Sequence, residues 1–372
     1  MPDRVGPIVG TIVATYAFQI SIAIALWLLV VNARREGHRW LWTLVWGIVF
    51  GYAIEYINVH DAEPLYSYPD CAGGGLCPGH TICLTSVALW VPIGWGEVLY
   101  LSTWTAQRLR IKPWAKPIAA AFLAVSFDLT LDPVAHATYL WRWKYVKVNF
   151  FEVPFDNFLA WFLVVFIYAL CARWLLHKVT PKGGSLRSPG LDFVMAGLAA
   201  LVAFVGFEVV KVASQMLPSY RTDDGTMAGL LFILVAVLAS AFTWFHTLRS
   251  RRDRAVNWAT LVIPAYFHAL ALVLVVATGA WKNHPEMVIA IPFNLMVGFV
   301  IHAWASLELL FRSPGRSAEL EPMYSFPHAG SPDAEHEEGS GDTEGQEPPR
   351  GGPFPGPGGA NGSDVPRKQG YR

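Results

Sequence analysis

The chain has 372 residues, 53% of them hydrophobic and 15% charged, with 28 Lys and Arg balancing 28 Asp and Glu. A water-soluble domain carries roughly 25% charged residues, so the composition excludes an ordinary soluble enzyme. Charge neutrality gives no footing for a nucleic-acid partner.

The apolar residues fall into long runs, and about 20 consecutive apolar residues cross a bilayer. The pattern predicts an all-α polytopic helical membrane protein with about nine transmembrane helices. They fall at roughly 8–31, 40–59, 82–104, 117–135, 157–177, 190–216, 227–248, 257–279 and 288–311. The first run is too long and too weakly basic at its start for a cleaved signal peptide, so it reads as a span. Lys and Arg concentrate after spans 1, 3, 5 and 7 and at the start of the tail, for example Arg34, Arg35 and Arg39, then Arg249, Arg251, Arg252 and Arg254. That asymmetry puts the N-terminus outside and the C-terminus in the cytoplasm of a multi-pass cell-membrane protein. Beyond 1–312, residues 313–372 turn to Gly, Pro, Glu, Ser and Asp, the composition of a disordered cytoplasmic tail.

The loop after span 2 carries Cys71, Cys77, His80 and Cys83 around Gly73, Gly74 and Gly75. The spacing lacks the paired Cys-x2-4-Cys of a zinc site, so no metal is expected. On the oxidising side a Cys71–Cys77 disulfide is the simplest reading, with free thiols as the alternative.

Ionisable groups inside spans cost at least ~2.5 kcal/mol each near the helix centre, so each asks for a reason. The candidates are Glu55, Glu97, Asp128, Asp132, the Glu208/Lys211 pair, His268 and His302, with Asp156 and Asn157 at the mouth of span 5. In the orientation above, Glu97 alone among the acids lies toward the cytoplasmic half. Glu208 and Lys211 are three apart and can neutralise each other. His268 and His302 read as one interhelical hydrogen bond each.

Asp128 and Asp132 are four apart and share a helical face. Asp132 precedes Pro133, which biases the span to end or break there. Burial and a neighbouring carboxyl both favour the protonated form of a carboxylic acid, which would make the pair a proton donor in an apolar chamber. Asp128, deeper in the span, is the one expected to be more sensitive to substitution. After span 4, aromatic and basic residues alternate from Tyr139 through Trp141 and Trp143 to Lys147 with the period of an extended segment. This reads either as an interfacial belt or as an aromatic wall able to hold a cation.

Asp128-Leu-Thr-Leu-Asp132-Pro-Val, Trp141-x-Trp143 and Val153-Pro154-x-x-Asn157-Phe158-x-x-Trp161-Phe162 together resemble the membrane-bound carotenoid biosynthesis family. A weaker echo covers Glu55 and Val91-Pro92-Ile93-Gly94-Trp95. Phe151-Glu152 stands where a Gly-containing approach to Val153 is expected, Ala160 replaces a Gly, and Pro64-Leu-Tyr66-Ser-Tyr68 is a partial stand-in for a Gly-Pro-Phe-Gly-like run.

The resemblance implies a carotenoid hydratase, a cofactor-independent lyase that protonates a terminal alkene and quenches the carbocation with water. Asp128, Asp132, Glu55 and Asp156 would be catalytic. Asn157, Trp141, Trp143, Trp161, Glu97 and Trp95 would line the site of a lipid-soluble isoprenoid entering from membrane lipid. An isoprenoid (terpene) cyclase begins with the same protonation. A proton-coupled transporter would use intramembrane carboxylates differently, and an inactive scaffold is a third reading.

Overall fold

The computed structural model describes residues 5–61, 64–71, 81–109, 111–144, 147, 149–179, 188–216, 234, 238, 258–282 and 284–310. Eight α-helices have described bounds: α1 (Val5–Glu36), α2 (His38–Val59), α3 (Trp90–Arg108), α4 (Lys116–Ala137), α5 (Phe155–Arg173), α6 (Pro189–Gln215), α7 (Trp258–Thr278) and α8 (Met287–Leu310). Among the described residues, six helical stretches, in α1, α2, α4, α5, α6 and α7, are long and apolar enough to cross a membrane. The protein is an all-α, multi-pass membrane protein. The expected span at 227–248 and the tail from 313 lie outside the described residues, apart from Leu234 and Leu238.

α4 is the central helix, since 83% of its apolar stretch is buried against 44% in α2 and 28% in α6. It runs unbroken through Pro133 to Ala137, so the expected break is not there. Proline lacks the N–H that would bond the carbonyl four residues back. The freed Leu129 carbonyl instead accepts from Asn294 Nδ2 of α8 at 3.3 Å. A side chain from a distant helix thus supplies the missing donor.

α2 and α3 approach closely because glycines face one another. A Cβ on Gly96 would stand 2.4 Å from Ile48 Cγ1 and 2.9 Å from the Ile48 backbone nitrogen. One on Gly51 would stand 2.4 Å from Trp95 Cβ. This approach fixes Trp95 against α2.

Short strands connect the helices: β1 (Tyr66–Ser67), β2 (Cys83–Leu84), β3 (Val87–Ala88), β4 (Arg142–Trp143), β5 (Asn149–Phe150) and β6 (Val153–Pro154). They form three antiparallel pairs, β1–β4, β2–β3 and β5–β6, with Tyr66 opposite Trp143. The third span was expected to begin at 82; the chain there forms the β2–β3 hairpin and α3 begins at Trp90. Val87 and Ala88 of β3 are buried while Ile82 and Leu84 are exposed, so the apolar run looks like the start of a span without being one. Of the alternating 139–147 segment, Arg142 and Trp143 form a strand, and Arg142 sits 3.7 Å over the Tyr139 ring.

The expected Cys71–Cys77 disulfide is also corrected. Cys71 is joined to Cys83 at the start of the β2–β3 hairpin, with a Cα separation of 5.7 Å, and Cys77 lies outside the described residues. The β2–β3 hairpin brings Cys83 to Cys71. Mass mapping under non-reducing conditions should recover a Cys71–Cys83 peptide pair. A Cys71–Cys77 pair, or alkylatable thiols at 71 and 83, would contradict it.

Two other polar expectations separate. His268 Nδ1 lies 3.1 Å from Thr130 Oγ1, and His302 Nε2 lies 3.2 Å from the Leu123 carbonyl, so each histidine ties its helix to α4. Lys211 does not pair with Glu208. It donates to Asn58 Oδ1 at 3.0 Å and reaches Asp61 Oδ2 at 3.4 Å.

Candidate functional site

Helical spacing puts Asp128 and Asp132 on one face of α4, where both are buried, at 0% and 2% exposure. The β6 strand ends at Pro154 and delivers Asn157 into the first turn of α5. From there Asn157 Nδ2 donates to Asp132 Oδ2 at 2.5 Å and to Asp128 Oδ2 at 3.1 Å. One amide nitrogen thus bridges the two carboxyls and holds them side by side. Two buried carboxyl groups held side by side cannot both ionise easily, so this geometry suits a pair sharing one proton.

A second cluster surrounds Glu55 of α2. Its Oε2 accepts from the hydroxyls of Tyr66 and Tyr68, each at 2.5 Å, and its Oε1 accepts from Trp95 Nε1 at 2.7 Å. Three donors converge on one carboxyl, the surroundings of an acceptor rather than of an acid. Both tyrosines lie in the loop beyond α2, where burial and the nearby Glu55 carboxylate push their own hydroxyls well above the usual phenol range, so they serve as donors. Neither tyrosine was assigned a role from the sequence. Their Tyr-x-Tyr spacing, which puts alternate residues on one side of a strand, was the available signal. Asp132 lies in electrostatic reach of both Glu55 and Tyr66, so the two clusters adjoin.

An apolar pocket with about 470 Å³ of empty space, counting its open mouth, is lined by Asp132 of the first cluster and by Trp95, the indole that bonds Glu55. Trp90 and Trp141 stack at 5.6 Å and Trp95 and Trp161 at 4.2 Å, and all four line it. Asp132 is the one ionisable lining residue among those described. Asp128 is not in the lining: the deeper aspartate stands behind the one that faces the space.

The remaining expected site residues divide. Trp95, Trp141 and Trp161 are in the lining and Asn157 holds the aspartates. Trp143 is not in the lining; its ring packs at a tilt against Tyr66, with centroids 4.7 Å apart. Asp156 is half-buried at the start of α5 and is not in the lining either. Glu97, 1% exposed in α3, also lies outside it, and neither of its carboxyl oxygens finds a hydrogen-bond partner among the described residues.

The chain is similar to two proteins described as NAD(P)H-quinone oxidoreductase subunit 2, from Prochlorococcus marinus strains MIT 9313 and MIT 9303. Each is 25% identical over 250 residues, 63% of this chain and 41% of the relative, so the chain spans about two-fifths of the length of those proteins. No solved structure matches it. The profile of the family described as "Carotenoid biosynthesis protein" matches residues 12–221, more than half of the chain and the stretch that holds both carboxylate clusters. The chain belongs to that family.

Proposed function

We propose that the protein is a carotenoid hydratase acting on an acyclic, unoxygenated end of a polyene. The observation that carries this reading is Asp132, an acid backed by a second carboxyl and facing a pocket otherwise walled by indole and alkyl groups. Adding water to a trisubstituted alkene needs an acid strong enough to protonate carbon, a wall that tolerates a tertiary carbocation, and a water to capture it.

The roles follow from position. Asp132 delivers its proton to the less substituted alkene carbon, and the alkene π electrons form the new C–H bond. The positive charge left on the tertiary carbon faces the tryptophan pairs, each ring contributing ~0.5–2 kcal/mol when dry. The fixed Glu55 carboxylate balances that charge from behind Trp95. Water then forms the C–O bond and its surplus proton returns to the Asp132 carboxylate, so the enzyme ends as it began. Asn157, which donates to both carboxyls, holds the Asp132 carboxylate while it is without its proton.

A second reading is favoured by the same apolar lining. An isoprenoid cyclase would use the identical protonation and quench the cation with an internal alkene, needing no water in the pocket. Expression in a host that makes acyclic carotenoids, followed by pigment mass analysis, separates the two. A gain of one water mass supports hydration, an unchanged mass with altered chromatography supports cyclisation, and unchanged pigments overturn both.

We also propose nine spans in a cell membrane, with the N-terminus outside and the tail from 313 unfolded in the cytoplasm. The asymmetry of Lys and Arg supports it. Reporters fused after Arg254 and in the tail should report cytoplasm, and reporters in the 61–80 loop the outside. A tail found outside would require an even number of spans.

A further inference from the structure

The β5–β6 hairpin turns through Phe151 and Glu152, both in left-handed backbone, with φ of 49° and 66°. A two-residue turn with positive φ at both positions is normally filled by Asn-Gly or a similar pair. Larger residues persist there only where the surroundings hold them. Here the Glu152 N–H donates to Asn149 Oδ1 at 2.9 Å, and the Phe151 ring meets the His284 ring edge-on at 5.9 Å. The Glu152 carboxylate reaches His136 Nε2 at 2.8 Å.

His136 lies one turn beyond Asp132 on the same face of α4 and is 8% exposed. Its Nδ1 accepts from the Trp143 backbone N–H at 3.2 Å. A backbone N–H can only donate, so Nδ1 is the unprotonated nitrogen and Nε2–H is what Glu152 accepts. Glu152 therefore fixes the tautomer, as carboxylates behind functional histidines do. The contacts continue inward: Trp143 pairs with Tyr66 across β1–β4 and packs at a tilt against its ring, and the Tyr66 hydroxyl donates to Glu55.

We propose that Glu152 and His136 are positioning residues that pin β4, and through it Tyr66 and Glu55, beside the acid pair, and that protonation of His136 releases the strand. A proton on Nδ1 would set two donors against each other across the Trp143 contact. The groups around His136 act on that step from several elements. Glu152 draws a proton to it. Arg142 of β4 and His284 of the α7–α8 connection repel one, with His284 itself 3.9 Å from Glu152 and 3.6 Å from Glu286.

The effect on turnover rests on the hydratase reading; the pinning of β4 does not. Two variants and two readouts separate them. His136→Leu removes both hydrogen bonds, whereas His136→Asn offers Trp143 a carbonyl oxygen and cannot titrate. Hydrogen exchange of the peptide spanning 139–144, corrected for intrinsic rates, should show Trp143 protected at neutral pH and exposed on acidification in the wild type. The Leu variant should lose protection throughout, with kcat on an acyclic carotenoid down ~10- to 100-fold and KM little changed. The Asn variant should recover most of both, and its protection should stay level where the wild type falls. If the Leu variant does not insert, the Asn comparison decides alone. Wild-type protection in the Leu variant, or the same acid-side loss in the Asn variant, overturns the proposal. Should the wild type convert no acyclic carotenoid, the hydratase reading fails and the exchange data still judge the pinning.

Discussion

Asp132→Asn is expected to lower turnover by ~10²–10⁴-fold, the usual contribution of a general acid, while the amount of inserted protein stays near wild type. Asn preserves the volume of the side chain and leaves a carbonyl oxygen for the Asn157 amide 2.5 Å away, but it has no proton to give. Asp128→Asn should also impair turnover, though less, because Asp128 stands behind Asp132 and outside the pocket lining. A purely structural pair would behave otherwise. Asn would then be tolerated at both positions, and Ala would chiefly reduce folded yield by leaving buried donors unpaired. Rates on an identified carotenoid, normalised to inserted protein, distinguish the cases.

Gly96→Ala should give the largest loss of stability among single-methyl changes at the described glycines of α2 and α3. The new methyl would meet the Ile48 side chain at 2.4 Å, the Ile48 backbone nitrogen at 2.9 Å and the Leu44 carbonyl at 3.1 Å. A side-chain end can swing away; two backbone atoms of α2 cannot, so the helices must part. Overpacking of this kind costs about 1–3 kcal/mol. It should also cost activity, because Trp95, the neighbouring residue, bridges α3 to Glu55 of α2 through its 2.7 Å hydrogen bond. Gly190→Ala is the control, since the nearest atom to its added methyl is Ser188 Oγ at 3.9 Å. Thermal melts of the purified variants should show a clear drop for Gly96→Ala and little change for Gly190→Ala. Equal melts would contradict the close packing of α2 on α3.

The fold was readable from sequence wherever length and apolarity decide it, because no other element satisfies its own backbone across a bilayer. The Asp128/Asp132 face was readable for a similar reason: a spacing of four on a helix is a local property. What escaped notice depends on partners far along the chain. Tyr66 and Tyr68 reach Glu55 because β1 pairs with β4, and nothing near residue 66 announces a partner at 143. Pro133 does not break α4 because Asn294 bonds the freed carbonyl from α8. Lys211 finds Asn58 and Asp61 on and beside α2 rather than the acid three residues before it. The β2–β3 hairpin was mistaken for the start of a span because two of its residues are apolar and buried for a different reason.

The central claim is that a carboxylic acid protonates an alkene carbon and water captures the cation. It is tested most directly by turnover of an acyclic carotenoid in water enriched in both deuterium and oxygen-18. The product should carry one solvent deuterium on the carbon next to the new tertiary alcohol and one oxygen-18 in that alcohol, and Asp132→Asn should abolish both labels together. A product formed at the wild-type rate without solvent deuterium on carbon would contradict it.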